Sequence, residues 1–306
     1  MTTPTPATRD QALAALTELS RELGRPDRAW AVLAEGNTSV ALGGDSGSML
    51  VKASGASMAI AVPDDFVEVR IAEVLALVDA SAADADADAA DDAAAADAAA
   101  ADAADDEAVR ELFSAASDGG RRPSVEALLH AVCLDLPGVE AVGHTHPIPV
   151  NGLLCSPQAP LLVAGSLFPD QIVVLGTDPL LVPYIDPGLK LAREVRRMLR
   201  ERVASTGSVP KVVYLANHGM FALGASTAEV LQITEMAVKV ATVLLHTLSA
   251  GGPVFLDDAQ VARIDTRPDE LLRRAALASA SKPARNDAAP ASVPSRTTAL
   301  SNGADR

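Results

Sequence analysis

The sequence predicts a layered α/β fold in which helices cover a sheet, and three observations predict it. Short apolar runs suited to strands alternate along the chain with amphipathic segments of helical period. Glycine, proline and small polar residues fall where those elements should stop. The 306 residues, 49% of them hydrophobic, are enough to bury a substantial core. One large domain spanning residues 1–278 is expected.

Leu13, Leu16, Leu19 and Leu23 recur at helical spacing from Asp10 onward, and Gly24 and Pro26 stop that helix. Ala31 to Leu33, Ser39 to Leu42 and Met49 to Ala53 then read as strands of a hairpin. The turns Glu35-Gly36-Asn37, Gly43 to Gly47 and Ser54-Gly55 separate and close them. The Gly43 to Gly47 run matches neither a dinucleotide nor a P-loop fingerprint.

From residue 79 to 107 the chain is nearly all alanine and aspartate, with eleven acids and no base. A segment with no large apolar group to bury, and with charges that repel, reads as a solvated loop insertion within the domain. Most of the net charge of −15 resides there, so the remainder is nearly balanced. Leu128, Leu129 and Val132 place a helix over Ser124 to Leu134, ending near Pro137-Gly138, and Val139 to His146 reads as a strand. Gln171 to Leu175 and Lys211 to Ala216 suit buried strands, whereas Leu189 to Val203 and Ala228 to Leu248 are amphipathic helices. Residues 279–306, rich in Ala, Ser, Pro, Arg and Asn without periodicity, read as a disordered tail.

Composition also bounds the setting. An acidic chain argues against nucleic acid or an anionic membrane as partner. Cys133 and Cys155 are too few for a disulfide framework and sit in apolar segments, where a small buried thiol is the common case. The N-terminus lacks the positive start and apolar core of a signal peptide, and no stretch reaches membrane-spanning length. A reducing, cytoplasmic setting is expected.

The strongest chemical signal is Gly143-His144-Thr145-His146-Pro147 at a strand end, because side chains at i and i+2 leave the same face of a strand. Two imidazoles converge, and a catalytic metal site of the zinc type takes three protein ligands with one position open. The third candidate is His218, in Asn217-His218-Gly219, where another apolar strand reaches a turn. A lone His-x-His also arises by chance in surface strands, but three of only five histidines here lie at strand ends. His130 and His246 fall on helical stretches and read as packing or surface residues.

Glu126 begins a helix, where an acid suits the positive end of the helix dipole. It equally suits a proton-transfer group beside a metal, and spacing does not choose. The turns at Gly36-Asn37 and Ser54-Gly55, with Ser124 at the start of the same helix, offer the N–H groups and hydroxyls that cradle an anion. Lys52 either adds positive charge there or faces solvent.

Taken in order, Gly36 to Ser39 (GNTS), Lys52 to Gly55 (KASG), Pro123 to Glu126 (PSVE), Gly143 to Pro147 (GHTHP), Val182 to Gly188 (VPYIDPG) and Asn217 to Gly219 (NHG) resemble the class II aldolase/adducin family of sugar-phosphate enzymes. The resemblance runs from the first helix to about Leu248. It implies a three-layer α/β/α fold around a mainly antiparallel sheet, assembled as a cyclic homotetramer with active sites at subunit interfaces. It implies that His144, His146 and His218 bind a divalent ion, zinc or else manganese or cobalt, with Glu126 as the acid/base group. Gly36, Asn37, Ser54, Gly55 and Ser124 would line the phosphate site, although relatives carry a second hydroxyl where this chain has Val125. The implied reaction is retro-aldol cleavage of a keto sugar or sugar phosphate through a metal-stabilised enediolate. Epimerisation, dehydration and decarboxylation are the family's other reactions, and a non-catalytic, adducin-like assembly role is the alternative of a different class. Glu126 favours the aldolase branch over the epimerases, where aspartate is usual.

Overall fold

A computed structural model describes residues 8–43, 47–80, 92–117 and 120–280. Helix α1 (Arg9–Leu23) opens on a capping box, in which the Thr8 hydroxyl accepts from the Gln11 N–H and the Gln11 side chain accepts from the Thr8 N–H. Its apolar stripe of Leu16, Leu19 and Leu23 is buried. The hairpin comes next as β1 (Asn37–Ala41) and β2 (Ser48–Lys52), paired antiparallel. Ala31 to Leu33 do not join it. They enter a tight turn in which Leu33 takes φ +58° and the Glu35 carboxylate accepts from the Val32 N–H.

Strand β3 (Phe66–Arg70) leads into α2 (Ile71–Ala80), and the chain resumes as α3 (Asp92–Ala116). The described half of the alanine/aspartate run is thus helical rather than a loop. Alanine is the strongest helix former, and the C-terminal turns of α3 anchor the helix to the core. Val109 and Phe113 on those turns are buried. Arg193 grips Asp105 through two parallel bonds of 2.7 and 2.9 Å, and Lys190 reaches Asp102.

Next come α4 (Ala127–Leu134), β4 (Ala141–Thr145), α5 (Ile148–Leu154) and α6 (Pro169–Leu175). The last was expected as a strand, since a five-residue, mostly apolar run carries no decisive period. Pro169 sets the first helical φ, and the buried Gln171 side chain bonds to the backbone of Leu167 and Gly165, fixing the preceding loop. After β5 (Leu180–Val182) come α7 (Leu189–Thr206), β6 (Val212–Leu215), β7 (Gly219–Gly224) and α8 (Thr227–Ser249), then α9 (Asp258–Thr266) and α10 (Pro268–Ala280). Apart from Ser279 and Ala280, which close α10, the expected tail lies outside the described residues.

The seven strands form one mixed sheet in the order β3-β2-β1-β4-β7-β6-β5, with every neighbouring pair antiparallel except β5 and β6. Alternating side chains divide the core between its two faces. Val142, Val213, Phe221 and Leu223 pack with α4 and α7 on one face, and Ala141, Tyr214, Met220 and Ala222 with α5 and α8 on the other. Arg196, almost fully buried on α7, ties Asp79 at the end of α2 to Asp135 after α4. Cys133 is buried as expected, whereas Cys155, at the C-terminal cap of α5, is exposed, and neither is in a disulfide.

Because α3 belongs to the core through its last turns, Phe113→Ala is expected to cost about 3–5 kcal/mol, as for other buried aromatic truncations. Asp105→Asn is expected to cost only about 1 kcal/mol, the scale of a partly exposed ion pair. Urea denaturation of both variants checks the ranking, which a solvated α3 would erase.

Candidate metal centre

The sheet register brings the site together. On β4, His144 lies directly beside Asn37 of β1 and Phe221 of β7. Phe221 stacks on the His144 ring at 4.2 Å between centroids, and His144 is fully buried. His146, two residues on, leaves the strand end toward the same side, where its N–H donates to the carbonyl of Trp30.

His218 arrives from the short turn between β6 and β7. Asn217 takes φ +55°, a left-handed conformation that asparagine tolerates better than most residues. Helix α5 clamps this turn, with the Asn151 amide donating to the His218 carbonyl and the Asn217 N–H to the Leu154 carbonyl. The next residue is Gly219 because nothing larger fits. A Cβ there would sit 2.4 Å from Cδ2 of His146 and 2.7 Å from the Thr145 carbonyl. Gly36 is required for a similar reason, having φ +72° and a Cβ position 2.8 Å from the His144 carbonyl.

Glu126 occupies the N-cap of α4, yet its side chain caps nothing. Its Oε1 lies 3.1 Å from His144 Nε2 and 3.0 Å from His218 Nε2, and its Oε2 accepts a short hydrogen bond from the Asn37 amide. The helix-dipole reading of Glu126 therefore does not describe where the carboxylate points. One ligand atom from each of Glu126, His144, His146 and His218 lies within 4.8 Å of all the others.

The donor set fits a cation. His144 Nδ1 is 3.0 Å from the Met220 carbonyl and His146 Nδ1 is 3.0 Å from the Glu35 carboxylate. Both acceptors draw the proton to Nδ1, which leaves Nε2 of each ring bare. Those two Nε2 atoms nevertheless face each other at 2.9 Å. Two lone pairs at that distance repel unless a proton or a metal ion lies between them, and a third imidazole and a carboxylate at the same point favour the ion.

Around this centre the remaining motifs form a rim. Ala53 bridges to Pro123 and the Ser54 N–H donates to the Arg122 carbonyl, which zips the Ser54-Gly55 turn onto Ser124. Ser124 in turn lies 3.5 Å from the Asn37 amide. Asn37 Oδ1 is buried without a partner among the described residues. Lys52 does not face solvent. It is 1% exposed, its Nζ donates to the Ala56 carbonyl at 2.6 Å, and burial pushes its pKa down to about 8 against the pull of Glu126 and Asp65.

Ser39 bonds inward to Nδ1 of His130 at 2.7 Å, so that hydroxyl belongs to the core. Of the two tyrosines, Tyr214 is buried in the apolar cluster and the exposed Tyr184 donates to Asp186. Sequence reasoning missed Glu35, whose only signal was its place next to the Gly36-Asn37 turn.

The sequence matches the model of the class II aldolase and adducin N-terminal domain over residues 14–245. No curated protein matches it. Among solved structures the chain is similar to YgbL from Klebsiella pneumoniae, a protein described as an aldolase, epimerase or decarboxylase, with 19% identity, 84% of this chain and 99% of that one covered, and a TM-score of 0.57. The N-terminal class II aldolase domain of a conserved protein from Thermoplasma acidophilum gives 23% identity, coverage of 80% and 99%, and a TM-score of 0.54. For L-fuculose-1-phosphate aldolase from Thermus thermophilus the values are 19%, 81% and 100%, and 0.51. Identities this low carry the fold alone.

The buried His130 yields a pH prediction. Burial pushes its pKa down from 6.5 to about 3, so below pH 6.5 the unfolded chain takes up a proton that the folded chain does not. Its contribution to stability is complete above pH 6.5 and is lost as the pH falls toward 3, at a limit of about 1.4 kcal/mol per pH unit. Between pH 7 and pH 5, His130→Gln is expected to lose about 1–2 kcal/mol less than the wild type in urea denaturation. Parallel losses in the two proteins would show that His130 protonates freely in the fold.

Proposed function

The chain belongs to the class II aldolase and adducin family, and from that premise we propose that it is a divalent-metal-dependent aldolase cleaving a keto sugar or sugar phosphate. The observation that carries this reading is the convergence of three imidazoles and the Glu126 carboxylate on one point, with Nδ1 of both His144 and His146 already committed to acceptors. His144, His146 and His218 would hold the ion, zinc in the first instance. When bound, it supplies Lewis-acid polarisation of a carbonyl and its neighbouring hydroxyl.

The protein's own groups do the rest. Glu126 takes the proton of the hydroxyl β to the carbonyl as the carbon–carbon bond breaks. That oxygen becomes the aldehyde of one fragment, the electron pair passes to the other, and a proton returned to carbon completes it. Asn37 holds Oε2 of Glu126 and so fixes the direction of its remaining lone pairs. Gly36, Asn37, Ser54, Gly55 and Ser124 would bind the anionic end of the substrate through N–H groups and hydroxyls. The intact ligand set supports catalysis over an adducin-like assembly role.

Exposed apolar side chains at Leu33, Val125 and Ile148, all close in sequence to site residues, support burial of this rim by further copies in a homotetramer. Helices on both sheet faces support a three-layer arrangement. A cytoplasmic setting is in keeping with the unpaired thiols of Cys133 and Cys155.

About one divalent ion per chain is expected by elemental analysis, and the double variant His144→Ala/His146→Ala should lose it. Full occupancy in that variant would remove the metal assignment. Ketose phosphates and sugar acids screened for release of a two- or three-carbon fragment should identify a substrate. With it, Glu126→Gln should retain the metal while kcat falls by roughly 10²–10⁴. A near-wild-type kcat would take Glu126 out of the proton transfer.

A further inference from the structure

Glu35 lies in the turn that precedes β1, a position no ligand pattern marks. Its two carboxylate oxygens have different tasks. Oε1 accepts from the Val32 N–H at 2.6 Å, while the Glu35 N–H donates back to the Val32 carbonyl at 3.2 Å. Oε2 is 3.0 Å from Nδ1 of His146. The same turn reaches the backbone of that histidine as well, through the Trp30 carbonyl, which accepts from the His146 N–H at 2.7 Å. One loop therefore holds His146 at both its main chain and its ring.

The turn is kept against local preference. Leu33 adopts φ +58° and is 87% exposed, although the left-handed region is disfavoured for a large side chain. Such a conformation persists where its surroundings over-determine it. Here those surroundings are the reciprocal bonds between Val32 and Glu35.

An imidazole ring can turn over about its Cβ–Cγ bond, which exchanges Nδ1 with Cδ2 and Nε2 with Cε1. Only one of the two orientations aims a nitrogen lone pair at the cluster. Gly219 leaves the ring room on one side without selecting an orientation. Glu35 selects it, because a carboxylate bonds to N–H and not to C–H. The bond also draws the proton to Nδ1 and increases electron density at Nε2. His144 receives a comparable service from the Met220 carbonyl, a neutral acceptor, so Glu35 is the charged partner in the pair.

We propose that Glu35 is a positioning residue for a metal ligand, holding His146 in the ring orientation and tautomer that present Nε2 to a divalent ion. The inference rests on the metal reading above and goes beyond it by assigning a role outside the four converging residues. A plain surface ion pair would leave metal affinity untouched when broken, whereas removal of such an outer partner typically weakens affinity about 10–100-fold.

The test is the zinc dissociation constant of the full chain, measured by competition with a chromophoric chelator, for the wild type, Glu35→Ala, Glu35→Gln and His146→Ala. The d–d spectrum of cobalt-loaded protein and the melting temperature of metal-free protein are recorded alongside. Glu35→Ala is expected to bind zinc about 10–100-fold more weakly and to alter the cobalt spectrum, with only a small fall in the metal-free melting temperature from the lost Val32 bond. Glu35→Gln keeps one oxygen for Nδ1–H, loses the charge and the Val32 acceptor, and should fall between Ala and wild type.

If Glu35→Ala does not fold, Glu35→Gln decides, with weaker binding supporting the role and wild-type binding overturning it. Wild-type affinity in Glu35→Ala, with His146→Ala strongly impaired, overturns the role of Glu35 and leaves the metal centre standing. Failure of the wild type to bind zinc or cobalt overturns the metal reading, and the inference with it.

Discussion

The centre of this structure is an electrostatic conflict that its scaffold enforces. Two imidazoles on one strand end turn bare nitrogen atoms toward each other at 2.9 Å, with a third ring and a carboxylate beside them. In a buried setting such a group of lone pairs is stable only if a positive charge is shared among them, by protonation or by a cation. The rest of the site is arranged so that none of the four can relax away. His144 is wedged against Phe221, the His218 turn is clamped by α5, and Glu126 is held by Asn37.

That arrangement explains the small residues around it. A side chain at Gly219 would displace His146, and one at Gly36 would press on the His144 carbonyl. These glycines bring the turn before β1 and the start of β7 up to β4 more closely than any substituted residue allows. The antiparallel register then sets Asn37 beside His144 without any further device. Rim and centre are thereby one object, since the amide that steadies Glu126 also lies against Ser124, beside the Ser54-Gly55 turn.

The acidic run shows how composition misleads when propensity and docking agree. Repelling aspartates argue for a solvated chain, but alanine favours helix and the acids at Asp102 and Asp105 find cations on α7. Arg196 continues the same logic, gathering Asp79 and Asp135 so that three helices meet over one guanidinium. A bidentate arginine fixes direction as well as charge, which is what packing helices onto one sheet face requires.

Much of the fold could be read from the chain because its signals are local. The leucines of α1, the long amphipathic helices α7 and α8, and the hairpin of β1 and β2 each carry a complete period or turn. The short elements could not be read that way. α6 and a strand share the same four apolar letters, Ile172 to Leu175, and only Pro169 and the bonds of Gln171 to the preceding loop distinguish them. Of the site, the histidines and Glu126 were visible as residue types at element ends, His144 and His146 through the i, i+2 rule that needs no partner. The sequence by itself determined which groups were available to bind a cation. Only the tertiary structure decided that Glu126 turns from its helix to the histidines, that Lys52 is buried and that Glu35 reaches His146, because each depends on contacts between strands and loops distant in sequence.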